Sequence, residues 1–343
     1  MNKKLLIGLA ILMPSLATAS PYADSFGVYA SEVDALETKL GYVGKVLPIP
    51  ELTKVSDGVY MSVGSFIWGN RGNFGFNNNM SAVIFDDGVF VFNAGPNEAV
   101  AYSFHQLLKT VTDKPVKWVS IENQQGHANM GASYWHDVGV KNIYSQEQAT
   151  EHFHKNFNKA KTRYLAASGN VINEPSHDVT ASYTSFDKKL VVDVGNNEKV
   201  ILMNYGGGHT PTMAGAIIPS KNLAFSGDLG FNERLPGLFG DGGDYQKWIT
   251  SFDKMKVTAM NEVIDPSKLL VIPGHGTATT LADLEEKTIT YFKDVEREVL
   301  KVIEEGGTVE DARKVDQSKY KDRFVFEQLA ADNAESIYNT RTK

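Results

Sequence analysis

Cysteine is missing from all 343 residues. That excludes disulfides, thiolate metal ligands and a cysteine nucleophile, and leaves imidazole, carboxylate and neutral oxygen as the donors open to a metal. Positive charge is scarce: 34 Lys and Arg face 41 Asp and Glu, for a net charge of −7, which gives no overall basic footprint for nucleic acid. Long apolar runs are lacking too, and Leu5 to Met13 is too short to span a bilayer. Internal repeats and low-complexity segments do not occur.

The first twenty residues read as a secretory signal. Lys3-Lys4 form a basic start, Leu5 to Met13 the apolar centre, and Ala17-Thr18-Ala19 a small-residue cleavage site, with the cut expected after Ala19. The expectation is an exported protein, periplasmic or secreted, with no membrane insertion of the mature chain. At 42% hydrophobic and 22% charged, the remainder is ample for one large α/β domain with extra helices.

Three apolar runs each end in glycine beside a metal-competent side chain. Val200-Ile201-Leu202-Met203 leads into Gly206-Gly207-Gly208-His209-Thr210-Pro211, Leu223-Ala224-Phe225 into Gly227-Asp228-Leu229, and Leu269-Leu270-Val271-Ile272 into Pro273-Gly274-His275-Gly276. Strand ends on glycine-shaped loops are where α/β folds display chemistry. Two imidazoles and one carboxylate suit zinc or a similar divalent ion.

The order of these segments, over roughly Val55 to Gly276, resembles the metallo-β-lactamase superfamily. That resemblance implies an αββα sandwich with the metal site along one edge, and carries metal-ligand roles onto His209, Asp228 and His275. The family's upstream H-x-H-x-D-H motif is altered here. The matching place, after the strand Val116 to Ile121, reads Glu122-Asn123-Gln124-Gln125-Gly126-His127-Ala128. Anchored on Gly131, Asn123 and Gln125 fall at the first two histidine positions and His127 at the aspartate position. Asn93 likewise replaces the aspartate of a strand ending D-x-G.

What remains implies a single zinc per chain held by His127, His209, Asp228 and His275, of which His127, Asp228 and His275 form two-His-one-Asp set with an open position. Asn123, Gln125 and Asp228 are the catalytic candidates, the amides as donors to an oxyanion and the carboxylate as an orienter of water. The expected substrate is a small acyl compound, a strained amide or ester, with β-lactams leading. A non-catalytic binding member and a hydrolase of other esters or thioesters are the alternatives.

Along the chain, residues 1–19 read as signal, 20–50 as an N-terminal arm with a helix near Ser31–Leu40, 51–280 as the sandwich, and 281–343 as a helical extension. A hairpin starts at Lys54, and its Gly- and Asn-rich loop, Ser65 to Asn79, is a candidate cover for the site. Helices are expected over Asn97–Thr110, Met130–Val138, Ser145–Ala167, Tyr245–Met255 and Leu281–Glu305. His152 and His154 belong to a solvated helix face, His105 and His136 to helix surface or packing. His177 is a remote candidate for swinging toward the site. Arg234 could grip a substrate carboxylate or form a structural salt bridge.

Overall fold

Period-two alternation from Lys54 builds a hairpin of β1 (Thr53–Ser56) and β2 (Val59–Ser62), turning at Asp57-Gly58, where Gly58 takes φ +71°. The computed structural model describes residues 46–168, 176–238 and 243–343. The signal segment, the helix expected near Ser31–Leu40 and Asp241 lie outside them.

From the hairpin the chain runs through β3 (Met80–Ile84), β4 (Val89–Phe92), β5 (Val116–Ser120), β6 (Asn142–Gln146) and β7 (Thr184–Phe186). These seven strands lie side by side in chain order. The pairs from β4 to β7 are parallel, so helices must carry each crossover. They are α1 (Glu98–Leu108), α2 (Gly126–Asn129) with α3 (Ala132–Asp137), and α4 (Glu147–Ser168). Asn97 caps α1 by accepting the Val100 amide.

The second sheet holds β8 (Lys189–Asp193), β9 (Lys199–Gly206), β10 (Met213–Ile218), β11 (Leu223–Phe231), β12 (Leu270–His275) and β13 (Thr279–Thr280), in the order β13-β12-β11-β10-β9-β8. The parallel β11–β12 pair is bridged by α5 (Tyr245–Glu262). After β13 come α6 (Leu281–Glu285), a π turn (Glu286–Thr290), α7 (Tyr291–Glu304), α8 (Val309–Ala312) and α9 (Phe326–Arg341).

Alternate side chains of the two sheets face one another. Val83, Phe90 and Phe92 meet Leu202, Ala216 and Phe225, and Phe92 stacks on Phe225 at 4.8 Å. The outer face of the first sheet is covered by Val100, Phe104 and Trp135, and that of the second by Trp248, Phe252, Phe292, Val299 and Ile337. The layers are therefore α, β, β, α, as expected, and the C-terminal helices share the second sheet's core.

Four helices differ from their expected bounds. Ser145 and Gln146 finish β6 instead of starting α4, and the helix expected over Met130–Val138 is α3, with the separate short helix α2 ahead of it. The helix α5 continues to Glu262, and the Leu281 helix is broken by its π turn. Its apolar spacing survives the break, since Leu284, Phe292, Val295 and Val299 are all buried.

Candidate metal centre and substrate cleft

The strands β5 of the first sheet and β11 and β12 of the second end at the same edge of the sandwich. Backbone bonds join the sheets there: Ala214 N donates to Glu122 O at 2.7 Å and Asn79 N to Gly274 O at 2.7 Å. The side chain of Asn79 adds bonds to Pro273 O and Gly276 O. Three glycine-shaped segments thereby converge.

Asp228 is fully buried at the centre. Around its carboxylate stand His127 Nε2 at 3.1 Å and His209 Nε2 at 3.6 Å from Oδ2, and His275 Nε2 at 3.3 Å from Oδ1. Asn123 Nδ2 donates to Oδ2 at 3.1 Å and Asn78 Nδ2 to Oδ1 at 3.3 Å. The orientation of Asn123 is fixed, because its Oδ1 accepts the Gln125 amide at 2.7 Å. It therefore presents NH2, not a carbonyl oxygen, to the carboxylate.

The histidines are held from outside. His275 stacks on Phe231 at 4.7 Å, and His209 packs against the Trp248 ring at 5.2 Å. Arg234 NH1 lies 3.3 Å from His275 Nδ1, and its guanidinium covers the Trp68 ring at 4.4 Å. No ion pair of Arg234 with a carboxylate occurs among the described residues.

Beneath Asp228 lies a second buried carboxylate, Glu122. It accepts the Asp228 backbone amide, Asn78 Nδ2 at 2.7 Å and Asn93 Nδ2 at 2.8 Å. Gly227 makes this approach possible: it takes φ +52°, and a Cβ there would overlap the Glu122 carboxylate.

Burial and the facing Asp228 charge push the Glu122 carboxyl well up. Burial would raise Asp228 as well, but its imidazole neighbours hold it well below the usual carboxylate range. Burial lowers His209, and burial with the adjacent Arg234 charge lowers His275 to about 4. The centre at neutral pH is thus an ionised Asp228 ringed by neutral His209 and His275.

Donor atoms of His127, Asp228 and His275 all lie within 4.8 Å of one another. The buried Nε2 of His127 makes no hydrogen bond, despite its distance of 3.1 Å from Asp228. An imidazole nitrogen aimed at a shared point without a hydrogen bond fits a metal ligand, and two histidines with a carboxylate fit zinc. His209 Nε2 also lies 3.2 Å from Gln125 Oε1.

The centre forms the floor of a cleft of about 380 Å³. His127, His209 and His275 line it, with Gln125, Trp68 and Arg234; Asn123 lies underneath and does not. Of the Ser65 to Asn79 loop, Phe74 and Phe76 are buried in the core, while Trp68, Gly69, Gly75 and Asn77 face the cleft. The opposite wall is α4, which corrects one expectation: His152 lines the cleft instead of a purely solvated face. His154 bonds Asp178 at 2.6 Å. His177 does not swing to the site but lies 3.4 Å from Asp137. His105 bonds the Tyr134 hydroxyl and His136 bonds Asp137.

Sequence reasoning missed Glu122, the inward role of Asn78 and the α4 wall, whereas Trp68 lies in the loop expected to cover the site. Only α4 left a readable signal, the recurrence of polar residues at 152, 156, 159 and 163.

No family model matches the chain. No curated protein matches it either. Solved structures do. The chain is similar to the DIM-1 metallo-β-lactamase exposed to ceftazidime, at 18% identity and TM-score 0.52, covering 70% of this chain and 96% of that one. It is also similar to TMB-1, at 16% identity, TM-score 0.52, and 71% and 97% coverage. A third match is a metallo-β-lactamase from Pontibacter korlensis, at 16% identity, TM-score 0.51, and 68% and 95% coverage. The fold is that of the metallo-β-lactamases.

Proposed function

We propose that this chain is an exported metal-dependent hydrolase of small acyl substrates, with strained amides of the β-lactam type as the leading class. One observation carries the reading: a buried His127–Asp228–His275 group, with an imidazole nitrogen left without a hydrogen bond, forms the floor of an open cleft in this fold. A zinc ion held by these three residues, with His209 beside them, would supply Lewis acidity, acidifying a water and polarising the substrate carbonyl.

The chain's own groups have distinct parts. Asp228, kept ionised beneath the cleft floor, would hold the zinc and orient the surrounding imidazoles. Asn123 sits below the carboxylate and holds its charge in place, so the surface role of an oxyanion donor falls to Gln125. With its Oε1 3.2 Å from His209 Nε2, Gln125 keeps its NH2 for the developing oxyanion, a contact worth roughly 3 kcal/mol in other hydrolases. Arg234 lines the cleft with its Nε lacking a hydrogen bond and takes the carboxylate of the substrate.

A second reading, a binding protein without hydrolysis, is favoured by one feature. The Arg234–His275–Asp228 chain of contacts is complete without a metal. Zinc content of the mature protein purified without chelator, paired with nitrocefin turnover, separates the two. About one zinc per chain, with zinc and turnover both lost in His275→Ala, supports the hydrolase. Zinc with no turnover redirects the search to other esters and thioesters, and neither zinc nor turnover sinks the hydrolase.

A further inference from the structure

The wall of the cleft opposite Arg234 is built by α4, and its composition departs from the rest of this acidic chain. His152, Asn156, Lys159 and Arg163 all line the cleft. Spacings of four, three and four residues put them on one face of the helix. The adjoining face, Phe153, Phe157, Ala160 and Tyr164, packs against Met130. Tyr164 also lies against Gly126, where a Cβ would collide with its ring. That packing fixes the helix's rotation, so the basic face is held toward the cleft.

Two further observations concern charge. Neither Lys159 nor Arg163 forms an ion pair or side-chain hydrogen bond among the described residues, although neighbouring Lys155 is paired with Glu151 at 2.6 Å. No aspartate or glutamate is among the described residues lining the cleft, while the chain as a whole has seven more acids than bases. Two cations along a concave surface, with no ion pair among the described residues, leave the wall positive. Low-dielectric walls strengthen such a field at the cleft's interior.

We infer that Lys159 and Arg163, with Asn156 and His152 beside them, form an anion subsite, and that the substrate carries an acidic group remote from the bond that is cut. This group is additional to the one facing Arg234. The inference rests on the hydrolase reading for its placement of the scissile bond, but the subsite itself is readable without turnover.

Two measurements on the double variant Lys159→Gln/Arg163→Gln test it. Both side chains are exposed, so the variant keeps its fold and metal content. The first compares hydrolysis of 4-nitrophenyl acetate with mono-(4-nitrophenyl) glutarate, whose carboxylate lies three methylenes from the ester. The expected result is at least a tenfold fall in kcat/KM for the glutarate ester, carried by KM, with the acetate unchanged. The second is calorimetric binding of terephthalate and its dimethyl ester, with and without chelator. Terephthalate is expected to bind the native protein, and at least tenfold more weakly the variant, whether or not metal is present; the diester does not distinguish them. If neither ester is hydrolysed but this binding difference holds, the subsite stands on binding alone, and the hydrolase reading is decided separately by zinc content and nitrocefin turnover. Equal terephthalate binding by both proteins overturns the subsite. So does binding that vanishes with chelator yet ignores the double substitution, since the anion then sits on the metal.

Discussion

Arg234 and His275 set the proton arrangement of the centre. A guanidinium only donates, so Nδ1 of His275 accepts from it and the ring proton is left on Nε2, facing Asp228. Metal binding through Nε2 must displace that proton and place a second cation beside a guanidinium that burial already lowers to about 10. Substituting Arg234→Met should therefore tighten zinc about tenfold, equivalent to roughly 1.4 kcal/mol, as read by competition with a chromogenic chelator. Weaker zinc binding would show that Arg234 helps to hold the ligand set.

The same burial predicts an acid-sensitive fold. His275 titrates near 4 in the folded protein against 6.5 when exposed, and His209 is shifted the same way. Above about pH 6.5 both states are neutral and nothing is lost. As pH falls from 6.5 toward 4 the unfolded chain takes up protons that the folded chain refuses, so stability declines, by up to roughly 3 kcal/mol for His275 alone. Urea midpoints of chelator-treated protein between pH 8 and 4 check this; a flat profile would refute it.

The substitution at Asn93 also makes sense residue by residue. It donates to Glu122 and to Asn78 Oδ1, so a carboxylate at 93 would stand beside Glu122 and near Asp228. Asn93→Asp should cost about 2 kcal/mol or more at neutral pH, and less as the pH is lowered, because a protonated acid can again donate. Equal stability at pH 5 and pH 8 would count against that account.

At the scale of elements, the strands and the His209, Asp228 and His275 loops were legible because each lies within one short apolar-then-glycine pattern. Glu122 was not. Its partners are 29, 44 and 106 residues away, and nothing near it in sequence marks a carboxylate destined for burial. The basic face of α4 was visible in spacing, but its direction depends on Met130 and Gly126, which only the packed structure brings to it. The extra length of α5 and the break in the Leu281 helix were likewise hidden, since tertiary packing, not local propensity, decides where such helices end. Gly227, at positive φ within β11, shows how little slack these elements have. Gly227→Ala should lower stability by roughly 2–4 kcal/mol, through positive φ and the loss of the Glu122 bond to the Asp228 amide. A denaturation midpoint within error of the native one would show that β11 can relax.

At the scale of the molecule, the outer face of the second sheet is closed by residues from beyond Thr280. Phe292, Val295, Val299, Ala334 and Ile337 share one cluster with Trp248 and Phe252. A chain truncated after Thr280 should lose its cooperative thermal transition and bind a hydrophobic dye, whereas a sharp melt would make residues 281–343 a separable extension.

The C-terminal segment also touches the wall of the cleft that faces α4. Gln328 accepts the Trp68 indole N–H at 2.9 Å, Arg323 donates to the Arg234 carbonyl at 2.6 Å, and Phe324 forms a bridge with Arg234. Docking of the tail and occupancy of the cleft are then linked equilibria, and the linkage is reciprocal. A ligand that stills Trp68 and Arg234 should slow proteolysis near Arg323, and a chain nicked there should bind that ligand more weakly. The chain from Arg323 onward thus acts as a clasp whose lifetime reports, at a distance, on what the cleft contains.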